Sequence, residues 1–424
     1  MNIPSLPIRI FLIALLWLGS FCGLVVPVKA LNIVPTYDSS IMSDPNFPEE
    51  QTAISAAIQV FQTNFSDNFT VYITFYSTNV GLAESYAYYV TVDYQAYVSA
   101  LTANASSHND HLALSQLPTI DSDPVTGQNQ ISITEVLADR LGLASPTSDI
   151  QSIWLNTSIM SFTRPPPNSK NLYDMQSAVE HEIDEIMGGG GAGCNLDSTL
   201  TGIGATDLFR YATNSGNSTI SRSWTTSNGD NAFFSVDGTN LWARFNTDPS
   251  GDLGDFWGVQ QDQNTGALEY WSPPGVTPHP EVQDAIGTPG AFSYPENNGG
   301  ISLNTAPDLG TNELTMMDVI GWTLIVHTPP PLLNVAIKGS QKLVISWPSS
   351  YAGFILQERT NLLSGAWIAS VTGTNNPAVV TNNVAHRYYR VYQAAAPAVA
   401  AAIPAARQTA PATTRVLRVL KWQP

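Results

Sequence analysis

The sequence predicts an α+β domain followed by a small β-module. Strand-like and helix-like segments alternate at its start, and one strongly amphipathic helix near residue 180 ends in a run of glycines. A proline-rich break, HTPPPLL, then separates a last region of short alternating segments. The expected divisions are a leader over 1–30, a main domain over 31–327, and a Pro-rich linker over 328–331. A small β-sandwich over 332–392 and an Ala/Pro-rich, disordered basic tail over 393–424 complete the chain.

The chain opens MNIPSLPIRIFLIALLWLGSFCGLVVPVKA. Arg9 gives a positive flank, Ile10 to Val26 is almost unbroken apolar sequence, and Val28-Lys29-Ala30 closes it with small residues. This is the pattern of a secretory signal cut after Ala30, and it predicts a secreted, extracellular protein, with the periplasm or outer surface as other destinations. A retained membrane anchor is the competing reading. Removing Arg9 and Lys29 leaves 17 − 2 = 15 basic against 34 acidic side chains, a net charge of −19. So acidic a surface argues against nucleic acid and against stable membrane insertion once the signal is gone. It also offers carboxylates for a structural calcium, although no EF-hand loop spacing is present. Cys22 leaves with the signal and Cys194 remains alone, so no internal disulfide is expected.

LNIVPTYDSS reads as a short strand. PEEQTAISAAIQVFQTNF places Ile54, Ala57, Ile58 and Phe61 at helical spacing, with acids in its first turn. VYITFYST alternates Val71, Ile73 and Phe75 against Tyr72, Thr74 and Tyr76, a half-buried strand. ISITEVLADRLGL reads as a helix and SIWLNTSI, residues 152–159, as a strand. From about Leu172 to Met187 a helix carries Leu172, Met175, Val179, Ile183, Ile186 and Met187 on one stripe. Gly188–Gly191 ends it in a sharp turn. Residues 196–322 hold DLFRYA, NAFFSVDG, LWARFN and GDLGDFWG, read as short strands and acidic loops, before a closing helix over Glu313–Trp322.

The chemistry is concentrated in VEHEIDEIMGGGG. His181 and Glu185 stand at i,i+4 and project from one helix face, off the apolar stripe, with Glu182 between them and its edge. Two such side chains are placed to bind one metal ion, and the residue after the first is placed to act as a base on a water beside it. The usual HExxH signature has a second His where this chain has Glu185. By itself HExxE also describes an ordinary helix whose His pairs with a carboxylate.

The ordered series LNIVPTYDSSI, HEIDEIMG, DLFRYA, VQDAIGTPG and LTMMDVIGW, over about residues 31–325, resembles a family of secreted bacterial zincin-like metalloproteases with a variant HEIxE motif. The resemblance implies a metzincin-like catalytic domain with a twisted sheet and an active-site helix, a zinc ion, and hydrolysis of a protein or peptide substrate. It carries His181 and Glu185 into ligand roles and Glu182 into the role of general base. The metzincin position ten residues after His181 is Gly191, so a third ligand must come from elsewhere. Asp207, a carboxylate after the glycine turn, is the first choice, with His279 next and Asp197 third. A cap or a salt bridge to Arg210 is the competing role for Asp207. Arg210 and Tyr211 are candidates to support the ligands or the reacting charge. His108 and His111, in SSHNDH, read as solvated.

ISWPSSYAGFILQERTNLLSGAWIASV resembles the small fibronectin-like β-sandwich at the ends of secreted proteins of Verrucomicrobia-type bacteria. That implies contact with a cell surface or matrix, with Trp347 and Trp367 in its core. Two functions therefore stand at this point: a secreted zinc-dependent endopeptidase, or a non-catalytic extracellular binding or adhesion protein on a degenerate protease fold.

Overall fold

A computed structural model describes residues 31–144, 150–164 and 172–196, most of 200–325 and of 333–392, and 415–422. The expected leader, the 328–331 linker and residues 393–414 lie outside the described residues. The chain is α+β and divides into two compact units. One is Met1–Ile325 with Arg407–Pro424, and the other is Val326–Ala406.

The first unit is built on a mixed sheet. β1 (Asn32–Tyr37) lies parallel to β2 (Thr70–Ser77), and β2 parallel to β5 (Gln151–Leu155). β3 (Ala83–Asp93) runs antiparallel to β5, and β4 (Gln130–Thr134) antiparallel to β3. In β2, Val71, Ile73 and Phe75 are buried while Tyr72 is 47 % exposed, which is the period of two expected from sequence. The helix Phe47–Asn64 links β1 to β2 and buries Ile54, Ala57, Ile58 and Phe61, again as its spacing predicts. Proline and two acids occupy its first turn, where the missing N–H and the positive helix end favour them.

Several boundaries differ from expectation, among them the closing helix, which spans Thr311–Ile320 rather than Glu313–Trp322. Residues 130–134 form β4 rather than the start of a helix, because Ile131 and Ile133 pair with β3; Thr134 then caps a short helix over Glu135–Arg140 through Leu137 N–H. The strand expected over 152–159 ends at Leu155 and passes into a 3₁₀ turn. The central helix begins at Met175, not Leu172, since Asp174 is its N-cap and accepts from Ser177 N–H.

The larger correction is the tail. Arg415–Trp422 is not disordered: it is a strand that pairs antiparallel with β3 along eight residues. RVLRVLKW alternates, so Arg418 and Leu420 share one face of the strand. The basic side chains that suggested a solvated tail instead meet Glu84 and Asp252.

Between the central helix and the closing helix, Thr311–Ile320, a four-stranded antiparallel sheet contains Arg210–Thr213, Ile220–Arg222, Ala232–Phe234 and Ala243–Arg244. After it, residues 246–248 and 251–258 form loop, and a Phe245–Phe256 bridge ties them to the sheet.

The described residues of the second unit form two three-stranded antiparallel sheets. Ile345, Trp347, Leu356, Val380 and Val391 form its core. Trp347 is buried there as expected. Trp367 is half-buried instead between two guanidinium groups, Arg359 at 4.7 Å and Arg390 at 4.6 Å from the ring centre.

Candidate metal centre

The central helix, Met175–Met187, has no wet face. Its apolar stripe faces the core, and Glu180, His181, Glu182, Asp184 and Glu185 are also fully buried. Glu180 is accounted for by protein donors, since it accepts from Leu309 N–H and from the Gln176 amide. The others form an unusual concentration of buried charge.

His181 is oriented on both sides. Its Nδ1 lies 2.8 Å from the Val282 carbonyl, which can only accept, so Nδ1 carries the proton and Nε2 presents a lone pair. Nε2 faces Glu185 Oε1 at 3.8 Å and Asp255 Oδ2 at 3.8 Å. These gaps are too long for hydrogen bonds and suit donor atoms that share one cation. Burial pulls the His181 pKa down to about 4, despite the opposing Val282 bond, so the ring is neutral at physiological pH. It needs no deprotonation to act as a ligand.

His181, Glu182 and Glu185 each place one ligand atom within 4.8 Å of the others, and so do Glu185, Asp252 and Asp255. Among the described residues, the neighbouring carboxyls of the centre apart, no protein donor reaches either oxygen of Glu182, Oε1 of Glu185 or Oδ2 of Asp255. The other oxygens are held: Ser85 of β3 donates to Glu185 Oε2 at 2.7 Å, and Gly191 N–H donates to Asp255 Oδ1 at 2.6 Å. Glu185 and Asp255 thus each keep one oxygen fixed and leave the other without a protein donor.

Burial and mutual repulsion raise these acids. Glu185 is pushed up to about 8 by burial and by Asp252, against the Ser85 bond. Glu182 rises well above the carboxylate range through burial and then through Glu185; Asp255 rises through burial and then Glu185 and Asp252. Asp184, buried beside Glu313 and Glu185, does the same. Without a cation the centre is a set of carboxyls that hold protons; with one, their charge is compensated.

The glycine run makes the assembly possible. A side chain at Gly191 would place its first carbon 2.7 Å from Glu185 Oε1 and from Asp252 Cβ. Gly190 has φ +46°, and a β-carbon there would meet Gln283 Oε1 at 1.9 Å. The same β-carbon at Gly190 would lie 2.9 Å from Asp255 Oδ1, so the glycine there leaves room for Asp255, 64 residues after the Gly191 N–H that it accepts from. Arg210 holds the loop that delivers it, donating to Leu253 O at 2.7 Å and packing over the Phe245 ring at 4.6 Å.

The structure brings His181, Glu182 and Glu185 together, and adds Asp255. It does not bring Asp207, whose Oδ2 accepts from Asn195 N–H at 3.0 Å and Gly204 N–H at 2.8 Å and so clamps a loop. His279 turns its Nδ1 to the Pro280 carbonyl and lines a cleft of about 670 Å³ with Trp242, Trp257 and Trp271. No residue of the His181 group lines that cleft. Tyr211 lies against Arg222 and Gly238, away from the centre. Asp197 lies outside the described residues. Ser85 and Asp255 escaped the sequence reading. The only signal for Asp255 was the acidic, glycine-spaced GDLGDFWG, coupled to the missing ligand at Gly191. Comparison with protein-family models, with curated proteins and with solved structures found no match to this chain.

Proposed function

We propose that the chain is a metal-dependent peptidase, with His181, Glu185 and Asp255 as ligands of a zinc ion and Glu182 as general base. The observation that supports this most directly is a neutral imidazole nitrogen with Glu185 Oε1 and Asp255 Oδ2 each 3.8 Å from it, Glu185 being common to the His181–Glu182 and the Asp252–Asp255 groups of possible ligands. Nitrogen and oxygen donors of this kind fit zinc. A fold that buries several carboxyls without cationic partners gains most from an ion that neutralises them. When bound, zinc supplies Lewis acidity to a substrate carbonyl and to water.

The protein side of the reaction follows from positions already described. Val282 fixes the His181 tautomer, and Ser85 and Gly191 N–H set the rotamers of Glu185 and Asp255. Glu182 has no ligand-holding bond to break and is free to take a proton from the attacking water and pass it to the leaving amine. Peptide as substrate rests on the resemblance carried by HEIDEIMG and its neighbours, and secretion on the leader-like first thirty residues. No helix among the described residues is long and apolar enough to cross a membrane. The second unit, read as a fibronectin-like sandwich, would serve contact with a cell surface or matrix.

The test is metal content together with casein cleavage, with and without chelator. The expected result is about one zinc per chain, and cleavage that chelator removes and zinc restores. A chain that binds no zinc, or cleaves equally in chelator, overturns the reading and leaves the non-catalytic one.

A further inference from the structure

The edge of β3 beside this centre already holds a peptide, and that peptide is part of the same chain. β3 gives one edge to β5 and β4, which pair with Ala83–Tyr86 and Tyr89–Asp93. Arg415–Trp422 takes the other edge, antiparallel, from Arg415 opposite Val90 to Trp422 opposite Ala83. Leu420 stands opposite Ser85, the residue that donates to Glu185.

The strand is seated as an extended ligand would be, with a backbone ladder and alternate side chains in pockets. Leu420 is 1 % exposed against Ala87, Tyr89 and Ala192. Arg418 donates to the Cys194 carbonyl at 2.6 Å and the Gly191 carbonyl at 3.4 Å, on the loop that follows the central helix. Its guanidinium also approaches Asp252 Oδ1 at 3.9 Å, and Lys421 N–H donates to Asp252 Oδ2 at 3.3 Å. Asp252 belongs with Glu185 and Asp255 to one group of possible ligands, so the tail and the centre draw on the same carboxylate. The other face is exposed, with Leu417 at 49 % and Val419 at 38 %. The Lys421–Glu84 pair there is wet and contributes little.

We propose that Arg415–Trp422 is an internal peptide ligand of the β3 edge that keeps the centre latent. That edge then accepts extended peptides with a basic residue in the place of Arg418 and an apolar one in the place of Leu420. Latency rests on the peptidase reading; the peptide-binding edge does not. The tethered strand competes at the high effective concentration of an intramolecular ligand, so an outside peptide binds well only when the strand is loosened.

The test uses the full chain and a fluorescein-labelled peptide of sequence RVLRVLKW. One variant joins Tyr86→Cys to Val419→Cys, which lie opposite each other across the ladder, so that oxidation locks the strand and dithiothreitol frees it. A second joins Arg418→Glu to Leu420→Asp and loosens it. Fluorescence anisotropy should show the loosened chain binding the peptide about tenfold or more tighter than the parent, and the oxidised lock not binding it. The same peptide with Glu in the Arg418 place should bind at least about tenfold more weakly. Casein cleavage should rise in the loosened chain and fall, reversibly, in the lock. Equal peptide binding by parent and loosened chain overturns the proposal, and so does an oxidised lock that binds and cleaves like its reduced form. Loss of the cooperative melt in the loosened chain also overturns it, since the strand is then a structural member of the sheet. Peptide binding in the expected order with no cleavage in any form supports the internal ligand and overturns the peptidase reading instead.

Discussion

Two buried carboxylate regions of the first unit are handled in opposite ways. At the flank, Asp67 receives Nε and Nη2 of Arg140 at 2.8 and 2.5 Å on one oxygen and Thr323 N–H at 2.9 Å on the other. At the centre, no guanidinium among the described residues forms an ion pair with Glu182, Glu185 or Asp255, while Arg418 approaches the neighbouring Asp252 at 3.9 Å. A chain so poor in Lys and Arg still pairs its structural acid fully. Among the described residues Glu50 is also buried without a basic partner, so bareness alone does not single out the centre; what does is that several such acids stand together around one imidazole nitrogen.

The largest effect that sharpens this contrast is Glu182→Gln. It removes the proposed base but keeps size and hydrogen-bonding shape, so turnover should fall by about a hundred to ten thousand. Zinc content and the melting curve should stay as in the parent. Lost zinc would make Glu182 a ligand instead.

Next come changes whose sign should differ between the two regions. Arg140→Leu strands the buried Asp67 carboxylate and should cost about 3–5 kcal/mol of stability, with zinc content unchanged. Asp255→Asn should abolish zinc binding, yet leave the zinc-free chain as stable as the parent or more so, because it deletes a buried acid that no cation compensates. Equal destabilisation by both substitutions would erase the contrast. Asp207→Ala belongs with the flank: two buried N–H groups lose their acceptor, for about 1–3 kcal/mol, and zinc stays.

Zinc itself should act on one region alone. At a hundredfold excess over its dissociation constant it should stabilise the parent by about 2.7 kcal/mol and the Asp255→Asn chain not at all. Differential scanning fluorimetry with and without zinc reads this directly.

Much of the centre is legible in sequence for a physical reason. His181, Glu182 and Glu185 lie within one turn of one helix, so spacing alone sets their geometry, and the glycine run announces its end. Asp255 is another matter. Its arrival depends on Arg210 holding a loop and on the emptiness at Gly190 and Gly191, and neither is a local property. The tail failed for a related reason. Composition described it as Ala/Pro-rich and basic, while the alternation in RVLRVLKW acquires meaning only against the free edge of β3 and the acids Glu84 and Asp252. The same holds for ISIT, where β3 decides between helix and strand.

The smallest effect separates the centre from an acid buried elsewhere. Glu50, in the first turn of the helix Phe47–Asn64, is fully buried, and burial followed by Asp44 pushes its carboxyl up to about 7 against the Thr157 hydroxyl. In the unfolded chain that carboxyl ionises near 4.5. Between those values the folded protein holds a proton that the unfolded chain has released, so stability declines as pH rises from about 4.5 to about 7 and levels above. The raised acids of the centre slope the same way while no cation is bound. Zinc should cancel their share and leave that of Glu50; Glu50→Gln should remove its own share and leave theirs. Urea midpoints for parent and variant, with and without zinc, across that pH interval would show two independent flattenings. If Glu50→Gln follows the parent at every pH, its proton is not what the fold retains, and the acid slope belongs to the centre alone.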